Sequence, residues 1–176
     1  MTPPYCPVTG IKILLTNDLL RGELYPNPQL LHEMPKYNIL TTGTKYTEAD
    51  VREKPEIAER AKLALEFLTR ARLSGYTVLA VDGGSDSGWR ASAQDLGVIL
   101  IDENLEKFPG KHPTGRSRRQ VFTEALNHPG NFPLITWCEP EKTTYITSSD
   151  GRSPISMAAT PVYEGLADAV LPRRID

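Results

Sequence analysis

Short apolar runs separated by helical stretches constrain the fold of this chain more than any other feature. We place strands at residues 37–42, 76–81, 98–101 and 132–137, with a further short one at 169–171. Runs that are largely apolar, rather than apolar at every second residue, are typical of parallel strands buried on both faces. The alternation of strands and helices predicts an α/β fold. Right-handed crossovers would wind it into a mostly parallel sheet with three layers, α/β/α.

The segments between the strands divide into helices and loops. Apolar residues recur at helical spacing after Pro55, and proline is favourable in the first turn of a helix. Helices are expected over residues 55–74, 89–96, 118–127 and 155–165. Polar composition, or proline and glycine, predicts loops over residues 44–54 and 102–115.

The length of 176 residues suits one domain with a proper core. Residues 1–36 carry weak signals, apart from a possible short strand at 11–15, and we treat them as an N-terminal extension. Residues 37–176 are expected to form a single α/β domain.

Charge and composition exclude several classes of protein. The net charge is −2, from 20 basic and 22 acidic residues, so no nucleic-acid partner is expected. No run approaches the roughly 20 apolar residues that span a bilayer, and no secretory signal is recognisable. Cys6 and Cys138 match no metal-binding spacing and are expected to be free thiols. A cytoplasmic protein is therefore predicted.

A wound parallel sheet also predicts where a ligand binds. Ligands of such sheets gather at the carboxyl ends of the strands. Four segments would meet there, namely 41–45, 82–88, 102–104 and 139–142.

The run Val81–Gly88, with sequence VDGGSDSG, resembles the strand-end motif of the family 2-like, inverting glycosyltransferases of the GT-A fold. Other pieces agree in order and spacing along residues 37–174. They are the first strand with Thr41 and Thr42 at its end, the basic stretch Gly115–Leu126, the acidic Glu139-Pro140-Glu141 and the tail Gly165–Arg174. The resemblance implies a domain that binds a nucleotide-diphosphate sugar and transfers the sugar to an unknown acceptor by direct displacement.

The resemblance assigns roles to individual residues. Nucleotide-binding residues would be Thr41, Thr42, Asp82, Gly84, Ser85, Arg116 and Arg119. Asp82 would contact the base or ribose, and the two arginines would bind the diphosphate. Glu139 and Glu141 would hold Mg²⁺ or Mn²⁺, which take oxygen ligands.

Each of these roles has a simpler alternative. Asp82 would equally suit a turn in a glycine-rich loop, and Ser85 with Asp86 would suit turn and helix-cap positions. The arginines would form a solvated basic face, and the glutamates an exposed loop paired with Lys142.

The chain also departs from the family pattern. Gly83 replaces the second acid of the turn, and glutamates flanking Pro140 replace aspartates. Nothing corresponds to the acceptor-binding half, which leaves a second hypothesis open. The chain would then be a non-catalytic remnant of the donor half, acting as an oligomeric binding or assembly module. A different nucleotide enzyme is the third hypothesis, although neither a nicotinamide-type glycine motif nor a P-loop occurs.

Overall fold

A computed structural model describes residues 13–15, 28–130, 132–143, 146, 153–166 and 169–171, with side chains from residue 32 onward outside the short end strands. The strands are β1 (Ile13–Leu15), β2 (Asn38–Thr44), β3 (Thr77–Asp82), β4 (Ile99–Asp102), β5 (Leu134–Trp137) and β6 (Ala169–Leu171). The helices are α1 (Pro28–Tyr37), α2 (Glu48–Glu53), α3 (Pro55–Leu73), α4 (Ser87–Asp95), α5 (Pro113–Leu126) and α6 (Pro154–Tyr163).

Strands β2 to β5 form one four-stranded sheet in the order β4-β3-β2-β5, and every pair is parallel. The predicted parallel α/β fold is confirmed at this level. The register aligns Thr44, Asp82 and Asp102 at the carboxyl ends of their strands. Strand β6 does not join this sheet, and instead pairs in parallel with β1. Residues 13–15 of the segment predicted at 11–15, and the segment predicted at 169–171, are thus strands of a second, two-stranded sheet, while residues 11 and 12 lie outside the described residues.

Alternate residues of the central strands contact different helices. Leu40, Val78 and Ala80 lie in a buried cluster with Phe67 of α3. Their chain neighbours Ile39, Leu79 and Val81 lie in a second buried cluster with Val121 of α5. Each fully buried aliphatic side chain of this kind contributes roughly 1.5–3 kcal/mol. Burial on both sides explains why these strands have no polar alternation.

The loop predicted over residues 44–54 is wrong for its second half, where helix α2 forms. Thr47 caps this helix, since its hydroxyl accepts a hydrogen bond from the backbone N–H of Asp50. Lys54 pairs with Asp50 one turn away, at 2.6 Å. These local polar contacts stabilise a six-residue helix that has no buried residue.

The helix predicted from residue 118 begins five residues earlier, so the predicted loop 102–115 is too long. Pro113 occupies the first turn of α5, where its missing N–H is not needed. Helix α4 likewise begins at Ser87, two residues before the predicted start, because Asp86 caps it. The early start of α5 brings its first turn against the end of the sheet.

Helix α1 forms in the region where the sequence signals are weakest. Its residue Met34 is fully buried in a cluster with Leu134 and Ala159, so α1 packs beside β5 and α6. The domain boundary proposed at residue 37 stays a prediction. No helix in the described part of the chain is both long and apolar enough to cross a membrane.

Candidate functional site

A cleft of about 220 Å³ lies at the carboxyl ends of the central strands. The chain runs outward from β2 to β4 on one side, and β5 then returns to the other side of β2. The crevice at such a reversal of strand order is where open α/β sheets bind ligands. The lining residues come from all four strand ends and from helices α3 and α5. They are Gly43, Thr44, Lys45, Tyr46, Ile57, Arg60, Gly83, Glu103, Pro113, Thr114, Ser117, Trp137 and Glu141.

Gly43 sets how closely α5 approaches the sheet beside this cleft. A Cβ atom at this position would lie 3.2 Å from the Cβ of Ser117 and 3.3 Å from the Trp137 ring. A side chain here would therefore push α5 and β5 outward. The absence of one lets Ser117 and Trp137 form adjoining parts of the cleft wall.

Asp82 lies at the end of β3 with its carboxylate fully buried. One carboxylate oxygen accepts hydrogen bonds from the hydroxyls of Thr44 and Ser85. The other accepts from the backbone N–H groups of Gly84 and Ser85 and from the guanidinium of Arg90. The turn alternative named for Asp82 describes these contacts. Nucleoside binding by Asp82 stays a prediction, and it would require this network to open.

Gly84 and Ser85 complete the same turn. Gly84 has φ of +98°, in the region that favours glycine. The Ser85 hydroxyl accepts a hydrogen bond from the backbone N–H of Tyr46 at 2.8 Å, which ties the turn to the segment after β2. Asp86 caps α4 by accepting from the N–H groups of Gly88 and Trp89. These contacts position the loop, and none of these three residues lines the cleft.

Thr41 and Thr42 lie within β2 and are both buried. The Thr41 hydroxyl donates to the backbone carbonyl of Thr136 on β5 at 3.0 Å. The Thr42 hydroxyl has no hydrogen-bond partner among the described residues. Neither residue lines the cleft, whereas Thr44, the last residue of β2, lines it and donates its hydroxyl hydrogen to Asp82.

The three arginines at the start of α5 contact the protein itself. Arg116 donates to the carbonyl of Gly110, and Arg119 donates to that of Pro109 at 2.6 Å. The guanidinium of Arg118 lies 4.8 Å from the centre of the Trp137 ring, in a cation–π contact. The described side chains of Arg116 and Arg119 hold the loop before α5, and neither lines the cleft.

Glu139 and Glu141 follow β5 on the same sheet edge as Asp82, but their surroundings differ. Glu139 is exposed, whereas Glu141 lines the cleft. One oxygen of Glu141 accepts hydrogen bonds from the Tyr46 hydroxyl at 2.8 Å and from two nitrogens of Arg60, at 3.0 and 3.1 Å. Burial, together with the nearby Glu141 carboxylate, raises the pKa of Tyr46 well above its usual value.

These side chains fit a divalent cation poorly in the arrangement described. Within the described ranges, no group of three or more His, Cys, Asp or Glu residues is placed to hold a metal. Arg60 already bonds one oxygen of Glu141, so a cation at this carboxylate would lie close to a guanidinium. Metal binding by Glu139 and Glu141 stays a prediction.

Sequence reasoning alone does not identify two cationic residues of the cleft, Lys45 and Arg60. Lys45 lay within a segment predicted to converge on this edge, but its side chain carries no local signal. Arg60 sits on the charged side of α3, where it looks like any solvated helix residue. Only the fold shows that this part of α3 faces the end of β5.

Comparison of the chain with protein-family models, curated proteins and solved structures found no match.

Proposed function

We propose that this chain is a GT-A-like, three-layer nucleotide-binding domain that binds a nucleotide-diphosphate sugar in the strand-end cleft and transfers the sugar to an acceptor. The position of the cleft, at the reversal of strand order between β2 and β5, carries the proposal. The sequence resemblance of residues 37–174 supplies the ligand class.

The cleft surroundings support an anionic ligand. The first turn of α5 borders the cleft, and a helix N-terminus favours negative charge. Its N-cap residue, His112, makes no side-chain capping bond, and its first turn contains no acidic residue. Lys45 and Arg60 add positive charge on the facing walls.

A binding test follows from this placement. Thermal unfolding is measured with UDP and GDP, with and without Mn²⁺. A ligand present at 100 times its Kd adds about 2.7 kcal/mol to the free energy of unfolding. For a chain of this length we expect the melting temperature to rise by roughly 5–10 °C.

Two variants of one helix locate the binding. Thr114→Trp places a large ring at the cleft end of α5, and Leu126→Trp places the same ring at its far, exposed end. Only Thr114→Trp should abolish the rise in melting temperature. A rise that persists in Thr114→Trp, or no rise in the wild-type protein, would refute nucleotide binding in this cleft.

The cofactor proposal is tested by removing both charges. Glu139→Gln combined with Glu141→Gln should abolish any Mn²⁺-dependent part of nucleotide binding, because amides lack the charge that a divalent ion requires. If Mn²⁺ dependence is unchanged in this double variant, the metal is not held by these two residues.

One observation favours binding without transfer as the second candidate function. In the part of the chain that the structure describes, two carboxylates line the cleft and both are ion-paired, Glu141 with Arg60 and Glu103 with Arg116 at 3.5 Å. The nearby guanidinium favours the ionised form of each carboxylate, which makes each a weaker base for an incoming acceptor. Incubation with UDP- and GDP-sugars, followed by detection of released nucleoside diphosphate, separates the two. Release of nucleoside diphosphate, with the sugar passing to water, would refute the binding-only candidate.

A further inference from the structure

The side chain of Lys45 enters the cleft across Gly83. A Cβ atom on Gly83 would lie only 3.2 Å from the Cδ of Lys45, so the missing side chain makes room for the lysine stem. Lys45 is exposed, and no acidic group of the described residues lies within 4.0 Å of its ammonium. Asp50, the acid one turn beyond it, is already bonded to Lys54. Lys45, directly after β2, thus forms no ion pair with the residues that the structure describes.

Arg60 reaches the same cleft from α3. Its Nε and Nη2 atoms both donate to one oxygen of Glu141, and its side chain is 57% exposed. Tyr46 donates to that same oxygen and is packed against the Trp89 ring, with centroids 5.1 Å apart. Glu141 and Tyr46 therefore hold the guanidinium in place. Its Nη1 group has no hydrogen-bond partner in the described part of the chain.

The described carboxylates that line the cleft each have a cationic partner. Glu103 is paired with Arg116, and Glu141 is paired with Arg60. Among the described residues, no carboxylate lies within 4.0 Å of the Lys45 ammonium, and Arg60 has donors that Glu141 does not use. A ligand group with two or more negative charges and several acceptor oxygens would satisfy both side chains.

We infer that Lys45 and Arg60 form a two-point anion site that binds the diphosphate of the ligand. These two side chains would then supply the positive charge that the sequence analysis assigned to a divalent cation. The inference rests on the proposed function, and it assigns the diphosphate to residues other than Arg116 and Arg119. Glu141 is then a positioning residue that aims Arg60, rather than a metal ligand.

The test uses isothermal titration of the full chain with UDP, GDP and inorganic pyrophosphate, in EDTA and in Mn²⁺. Lys45→Gln and Arg60→Gln should each weaken diphosphate binding in EDTA by about 10- to 100-fold, the range for losing a hydrogen bond between charged groups. Lys45→Arg should recover most of the affinity, because it keeps the charge. Uridine and guanosine, which lack phosphate, should bind no differently to these variants.

Two residues of α3, the helix that carries Arg60, provide matched controls. Lys62 is an exposed lysine of α3 outside the cleft, and Arg70 is an exposed arginine paired with Glu66, as Arg60 is with Glu141. Lys62→Gln and Arg70→Gln should leave diphosphate affinity within about twofold of wild type.

The outcomes separate the two proposals. If wild-type protein binds no diphosphate in either buffer, both the proposed function and this inference fail. If nucleotides bind but Lys45→Gln and Arg60→Gln match their controls, the anion site is wrong and the proposed function survives. Binding that disappears in EDTA would also overturn the inference, since it would assign the charge to the metal.

Discussion

Replacing Asp82 with asparagine tests whether this residue holds the loop or meets a ligand. The carboxylate is fully buried and accepts five hydrogen bonds, so the variant keeps the shape and loses the charge. With its amide nitrogen turned toward Thr44 and Ser85, the asparagine can donate to both hydroxyls. Its oxygen would still accept from the two backbone N–H groups and from Arg90.

The cost is therefore the difference between charged and neutral acceptors. Hydrogen bonds to charged groups contribute about 1.5–3 kcal/mol, against about 0.5–1.5 for neutral ones. Three bonds fall on the oxygen facing the backbone and Arg90, and Arg90 keeps its second partner, Asp102. We expect the free energy of unfolding to fall by about 2–3 kcal/mol, and the melting temperature by roughly 5–10 °C.

Urea unfolding of Asp102→Asn supplies the control. Asp102 pairs with the same arginine, but its side chain is 80% exposed. Removing its charge should change the free energy of unfolding by no more than about 0.5 kcal/mol. The reasoning fails if Asp82→Asn is no less stable than Asp102→Asn. Unchanged stability together with weaker UDP or GDP binding would instead support the nucleoside role predicted from the sequence.

Two further predictions concern the thiol and the turn. Burial raises the pKa of Cys138 to about 12, so in a Cys6→Ser background thiol reagents at pH 8 should modify it only when the chain unfolds. Because the unfolded thiol ionises near pH 9, the native state binds more protons between pH 9 and 12. Stability should fall as pH rises through that window, less steeply in Cys138→Ala. Gly84→Ala should cost about 1–2 kcal/mol in urea unfolding because of its positive φ, whereas Gly115→Ala, inside α5, should not destabilise.

The strands were predictable because burial on both faces requires runs of apolar residues, which are visible in the local sequence. Ile39, Leu40, Leu79 and Val81 are all buried, and such runs differ from any loop in composition. Helix starts were less predictable. The cap at Thr47 and the first-turn proline at Pro113 act on one turn only, and the apolar periodicity that identifies longer helices is weak there.

The side-chain environment of the cleft could not be predicted in the same way. Asp82 is bound by Thr44, which lies 38 residues earlier in the chain, and by Arg90 on the following helix. Glu141 meets Arg60 across 81 residues. Such partners depend on strand order and on helix rotation about the axis, which no local pattern specifies. The sequence therefore predicts the edge where a ligand would bind, but not which charges remain free there.

Asp82 at the end of β3 and Glu141 after β5 are each bonded to an arginine, and this pairing affects which kind of ligand the cleft would accept. Asp82 is neutralised by Arg90 from α4, and Glu141 is neutralised by Arg60 from α3. Each arginine lies on a helix that the chain places beside the sheet edge, so the acids contribute little net negative charge to the cleft. Lys45 adds a positive charge there with no acidic partner within 4.0 Å among the described residues, while Arg90 is shared between Asp82 and Asp102. A diphosphate entering this cleft would meet the Lys45 ammonium and an arginine already bonded to its carboxylate. The arrangement of charges thus favours an anionic ligand even if the metal predicted for Glu139 and Glu141 does not bind.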